Sequence, residues 1–212
     1  MHCRHAPKKN KCNPDCDTVV DAPKEFLDYW FFNTGSYWVY KLAETSATIL
    51  DTVKITFSKT SFVSACENVP YPCRRSYSCN FSHSNKIFKR AFYPFPTEPQ
   101  ERFLTDVFSD AWVLRHAPIS SNVARSDEVL KMSLTKGTKL SNEGEIVDTS
   151  TIITPYGKIS SVLEVFKRQK SPEGEGYDGL YYRRLFFAKG IGIVKYEYTN
   201  NQTWELLDYK LN

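Results

Sequence analysis

The chain lacks any run of eighteen apolar residues, so nothing in it reads as a membrane-spanning helix. It also lacks the His-Glu-x-x-His helix of zinc proteases, the Gly-x-Ser-x-Gly elbow of serine hydrolases and the Walker loop of nucleotide-binding proteins. Those absences remove the reaction classes that short motifs report most specifically. No Cys-x-x-Cys pair and no internal repeat occurs, and the net charge of +4 is too small, with basic pairs too scattered, to form a nucleic-acid-binding stripe. No nucleic-acid partner and no cofactor is therefore expected. The start, Met1-His-Cys-Arg-His-Ala-Pro-Lys-Lys-Asn-Lys11, has no apolar centre of the kind a signal peptide needs. Two readings stay open: a cytosolic protein, or one whose secretory segment has been removed.

What is abundant is aromatic residues, 15% of the chain, in short runs that suit pleated sheet. The last thirty residues form three such runs, broken at Gly190, Gly192 and Thr199-Asn-Asn-Gln202, and predict an antiparallel meander. Val194, Tyr196 and Tyr198 alternate with Lys195 and Glu197, so one face meets a core and the other water. Gly190-x-Gly192 is read as a bend or bulge and not as a phosphate loop, because Lys195 stands where the third glycine would be and a strand follows.

Further strands are predicted over 36–44, 51–57, 61–66, 77–81, 86–93, 129–135, 145–154 and 159–167. In the second of these Val53, Ile55 and Phe57 point inward. Pro23 to Tyr29 suits one helical turn. The stretch from Arg102 to Arg115 is ambiguous: Phe103, Val107, Ala111 and Leu114 keep helical spacing, which predicts a helix, while Val107-Phe108 and Trp112-Val113-Leu114 also suit strands. These readings together predict an all-β, mainly antiparallel domain over 23–212, lipocalin-like or a half-open barrel with one or two short helices. A polar tether, residues 1–22, precedes it.

Six cysteines fall in two groups, Cys3, Cys12 and Cys16 in the arm and Cys66, Cys73 and Cys79 in a Pro- and Ser-rich excursion. Such clustering favours disulfide staples in an oxidising compartment, with Cys66 joined to Cys79 or Cys73 across a hairpin. Zinc ligation by His2, Cys3, His5, Cys12 and Cys16 is the weaker alternative, the Cys12-x-x-x-Cys16 spacing being unspecific.

Candidates for catalysis are thin. Ser133-x-x-Lys136 matches a serine acyltransferase spacing, but a strand turns its first and fourth residues to opposite faces. His83 or His116 could act as a base with Asp106 or Asp110 as partner, yet nothing in the sequence brings them together. No catalytic residue and no metal ligand is assigned. A barrel lined by Trp38, Tyr40, Phe57, Phe166, Tyr196 and Tyr198 could hold an apolar ligand, though rings of this size more often fill such an interior.

Four segments, Tyr29-Trp-Phe-Phe-Asn-Thr-Gly-Ser-Tyr-Trp-Val-Tyr40, Asp51-Thr-Val53, Phe187-Ala-Lys-Gly-Ile-Gly-Ile-Val-Lys195 and Thr203-Trp-Glu-Leu-Leu207, resemble uncharacterised cell-envelope lipoproteins of Bacteroidota. The resemblance implies an extracytoplasmic, outer-membrane protein acylated on Cys3 and carried on a polar tether; no Leu-x-Gly lipobox precedes Cys3, so that acylation presumes a removed upstream segment. It also implies O-linked glycans on Asp-Ser/Thr-apolar tripeptides, which makes Thr18 and Thr52 candidates. The function so expected is that of a non-enzymatic binding or accessory subunit, with an envelope protein as partner. The alternatives are a carrier of an apolar ligand and an enzyme with a dispersed site.

Overall fold

The structure is a computed structural model and describes residues 19–63, 73–85, 100–108, 111–118, 127–140, 144–166, 182–198 and 200–212. A single helical turn, α1 (Lys24–Leu27), follows Pro23, whose missing N–H suits a helix start. The other regular structure among the described residues is strand: β1 (Tyr37–Leu42), β2 (Leu50–Val63), β3 (Arg74–His83), β4 (Gln100–Phe108), β5 (Ala111–Pro118), β6 (Asp127–Lys131), β7 (Glu145–Thr154), β8 (Gly157–Phe166), β9 (Tyr182–Ala188), β10 (Gly192–Tyr198) and β11 (Thr203–Lys210). They form one antiparallel sheet in the order β6-β5-β4-β3-β2-β1-β11-β10-β9-β8-β7, two meanders joined where β1 pairs with β11. The sheet curls into a half-barrel. Its two edge strands, β6 and β7, are consecutive in sequence, and the segment between them bridges the gap: Met132 N–H donates to Trp112 carbonyl at 2.7 Å and Ile146 N–H to Thr138 carbonyl at 3.0 Å.

The predicted strands fall on strands of the structure, 51–57 and the start of 61–66 being one strand, β2; residues 64–66, the 86–93 run and residue 167 fall outside the described residues. The helix expected between Arg102 and Arg115 is instead the β4–β5 hairpin. Trp112, Val113 and Leu114 are all buried in it, so a continuous apolar run on a doubly covered strand had imitated helical spacing. The 129–135 run ends as a strand at Lys131, and Ser133 and Leu134 turn with positive φ, so the Ser133-x-x-Lys136 pair lies in a turn.

Alternation decides the inner face. Trp38, Tyr40 and Leu42 on β1, Val194, Tyr196 and Tyr198 on β10, and Trp204 and Leu206 on β11 are buried, and together with Leu185, Phe187 and Ile55 they form one contiguous core. At Phe57 the alternation breaks. Ile55 pairs with Phe81 and Phe57 with Asn80, so β2 spends one extra residue, Thr56, against β3. That bulge turns Phe57 onto the outer face, where it is 47% exposed, and the inward placement read from sequence is corrected.

The chain is docked on the sheet as soon as it is described. Val20 exchanges backbone hydrogen bonds with Cys73 and Arg75 at 2.8 and 3.0 Å, Ala22 is buried, and Asp21 accepts from the Tyr77 hydroxyl at 3.2 Å.

Candidate functional site

Polar residues on the inward phase of a strand need partners. β2 places Asp51 in phase with Val53 and Ile55, and β3 places His83 in phase with Cys79 and Phe81. The two strands pair antiparallel, with Val53 opposite His83, and bring the carboxylate and imidazole together. His83 Nδ1 lies 2.6 Å from Asp51 Oδ2, and both side chains are closed off from solvent. The other carboxylate oxygen accepts from the Asn85 N–H at 2.9 Å and the Ser84 hydroxyl at 3.4 Å. From across the barrel the Tyr196 hydroxyl reaches Oδ2 at 3.4 Å. A carboxylate on Nδ1 fixes the ring's orientation and makes Nδ1 the protonated nitrogen.

Above this pair is a half-open cleft lined by rings. Trp30, Phe32 and Tyr29 come from the segment after α1, Trp38 and Tyr40 from β1, and Tyr196 from β10, with His83 and Gly192 among the remaining lining residues. Its volume is about 30 Å³, room for roughly two water molecules. The rings around it fill the rest. Tyr40 meets Tyr196 edge-on at 4.8 Å between centroids, and Tyr196 lies parallel to Trp204 at 6.2 Å. Trp38 and Tyr40 donate to the carbonyls of Ile191 and Ile193 at 2.6 and 2.8 Å, which ties β1 to the β9–β10 turn. Burial, reinforced by the Asp51 charge, holds the Tyr40 hydroxyl well above its ordinary pKa.

Gly192 shows why this turn carries glycine. Its φ is +102°, and a Cβ there would stand 3.1 Å from the Phe32 ring and 3.3 Å from Trp38. Gly192→Ala is expected to cost about 1–3 kcal/mol from backbone strain, seen as a lowered denaturation midpoint, and to narrow the cleft.

Of the six residues read as ligand lining, Trp38, Tyr40 and Tyr196 line the cleft. Tyr198 is buried behind it, stacked on Tyr182 at 5.0 Å. Phe57 and Phe166 are elsewhere: Phe166 lies half-buried beside the Arg184 guanidinium, 5.8 Å from ring centre to carbon, and Arg184 in turn pairs with Glu164 and Glu197. The carboxylate seen on His83 is that of Asp51. Asp106 stands on β4 opposite Val113, and His116 on β5 opposite Phe103 and Asp127; the side chains of His116, Asp106 and Asp110 lie outside the described residues. Thr52 is half-buried in mid-strand, its N–H accepted by the Ser84 hydroxyl at 2.7 Å. Sequence reading passed over Asp51 and Trp30, although an acidic residue in phase with Val53 and Ile55 was the available signal.

Among the cysteines, Cys3, Cys12, Cys16 and Cys66 lie outside the described residues, as does Thr18. Cys73 is buried and disulfide-bonded. Cys79 is a buried free thiol whose S–H points to the Phe32 carbonyl at 3.7 Å, which corrects its place among the disulfide candidates. The inward phase of β3 seals it inside the sheet. Among the described residues no group of three or more potential metal ligands occurs.

Burial pushes the Cys79 thiol up to about 12. Only the thiolate reacts with disulfide reagents, so the native thiol is expected to be labelled at least about 100-fold more slowly than the same cysteine in urea. A time course with a chromogenic disulfide reagent at about pH 8 reads this directly. The same shift carries a stability sign. Above the ordinary thiol value of 9.0 the unfolded chain releases a proton that the folded chain keeps, so the contribution is whole below that pH and is lost as pH climbs towards about 12. Tyr40 acts in the same sense. Urea midpoints are expected to fall steadily on the alkaline side, less steeply in Cys79→Ala.

Compared with known proteins, the chain matches no family model, no curated protein and no solved structure.

Proposed function

We propose that the chain is a non-enzymatic, lipid-anchored cell-envelope protein that serves as a binding or accessory subunit of an outer-membrane protein complex. The observation that carries this reading is the filled interior. An eleven-stranded half-barrel has the girth to enclose a lipid, yet its rings leave a cleft of only about 30 Å³, an order of magnitude below an ordinary ligand pocket. A scaffold whose described residues leave a cleft too small for a carrier works through its outer surface. The disulfide at Cys73 supports an oxidising compartment, and the resemblance of the aromatic segments to envelope lipoproteins supports the anchor on Cys3.

Fractionation of the producing cells tests location and anchor together. The expected result is recovery in outer membranes, release by detergent but not by salt, and a diacylglyceryl-modified N-terminal peptide containing Cys3. Recovery in the cytosol with all cysteines reduced would overturn the reading.

A second reading rests on the 2.6 Å Asp51–His83 pair, which has the form of an oriented general base. Against it, the cleft lining among the described residues offers no serine, threonine, cysteine or lysine to act as nucleophile. An activity abolished by His83→Ala in a variant that still folds would establish that alternative.

A further inference from the structure

Among the described residues, one fully buried donor of the cleft has no acceptor. Trp30 is 2% exposed and lines the cleft, and its indole N–H is buried with no acceptor among the described residues. Its neighbours differ: the Trp38 N–H and the Tyr40 and Tyr196 hydroxyls all have acceptors within the protein, at 2.6, 2.8 and 3.4 Å. A buried donor left without an acceptor is costly, and such groups in folded proteins call for an explanation in water, ion or ligand.

We propose that the cleft is a binding site for a small neutral molecule whose one acceptor oxygen takes the Trp30 indole N–H, with its apolar remainder lying between the half-buried rings of Tyr29 and Phe32. Neutrality follows from the lining. Among the described residues it includes no lysine or arginine to meet an anion, and the Asp51 carboxylate stands directly behind His83, where a second negative charge would be repelled. The cleft's 30 Å³ admits the carbonyl or hydroxyl end of a ligand, and Tyr29 and Phe32 line it as half-buried rings. Apolar rings with one convergent polar group are the usual make-up of a small-molecule site. This site needs neither the lipid anchor nor the protein partner proposed above, so its failure would leave that reading standing.

Cyclopentanone is a suitable probe because its size fits a slightly widened cleft, and methylenecyclopentane has the same shape without the oxygen. In ¹⁵N-labelled protein the indole N–H signals are followed while each is added, the Trp30 signal being assigned through its bonded neighbours. The expected result is a saturable downfield movement of the Trp30 signal with cyclopentanone and no such movement with the hydrocarbon. Trp30→Phe, if its spectrum shows it folded, is expected to weaken the ketone about fivefold, the worth of one hydrogen bond. No movement of the signal up to the solubility of the ketone, an equal movement with both probes, or unchanged ketone affinity in folded Trp30→Phe would each overturn the proposal. Should the variant not fold, the two-probe comparison on the unaltered protein decides alone.

Discussion

Asp51→Ala is expected to lower the unfolding free energy by about 3–5 kcal/mol, because the buried His83 ring, the Asn85 N–H and the Ser84 hydroxyl lose their acceptor at once. His83, with a side chain only 2% exposed, keeps a polar ring in an apolar surrounding with no carboxylate on Nδ1, and the Asn85 N–H loses the acceptor that pins the end of the β2–β3 pairing. Asp51→Asn keeps the shape and one acceptor oxygen, so it is expected to lose less. Urea denaturation followed by tryptophan fluorescence checks both variants. A midpoint unchanged in Asp51→Ala would mean that the pair adds nothing to folding.

Tyr196→Ala is expected to cost about 3–5 kcal/mol, the usual range for removing a large buried ring. Four neighbours lean on that ring: Tyr40, Tyr182, Tyr198 and Trp204, at 4.8, 5.7, 5.4 and 6.2 Å between centroids. They come from β1, β9, β10 and β11, so one truncation loosens the contact between the two meanders. Tyr196→Phe separates the ring from its hydroxyl. It keeps these four ring contacts and loses the long 3.4 Å contact to Asp51, for which about 1 kcal/mol or less is expected. Thermal unfolding of the two variants side by side checks the partition.

The sheet was legible because its signal is local. Alternation along β10, Val194-Lys195-Tyr196-Glu197-Tyr198, needs no knowledge of the rest of the chain, and the structure buries Val194, Tyr196 and Tyr198 as the period demands. Two failures have physical causes. The β4–β5 hairpin buries Trp112, Val113 and Leu114 in succession, so the period of two vanished and a helical reading of Arg102 to Arg115 competed with it. Phe57 was placed inward by counting twos from Val53, and a bulge at Thr56, which depends on pairing with β3, shifted the count by one.

The site was less legible for the same reason. His83 stood out as a titratable residue, but its partner lies thirty-two positions away and meets it only through the β2–β3 pairing. Asp106 and Asp110 were nearer at hand because they sit four apart, a spacing that brings side chains together on a helix but amounts to about 13 Å along a strand such as the one that carries Asp106. Half of the predicted lining, Trp38, Tyr40 and Tyr196, lay on strands that pair around β11 and so converged. Phe166 shared their chemistry but sits at the end of β8, on the face where Glu164, Arg184 and Glu197 meet.

Native mass spectrometry of the protein released in mild detergent from the cells that make it tests the central claim most directly, since it weighs anchor, partner and contents at once. The expected spectrum has a lipid-modified chain bound in fixed ratio to a second protein, with no lipid retained after the detergent is stripped. A bare, unacylated chain without a partner, or a chain that carries one lipid molecule in its interior, would contradict it.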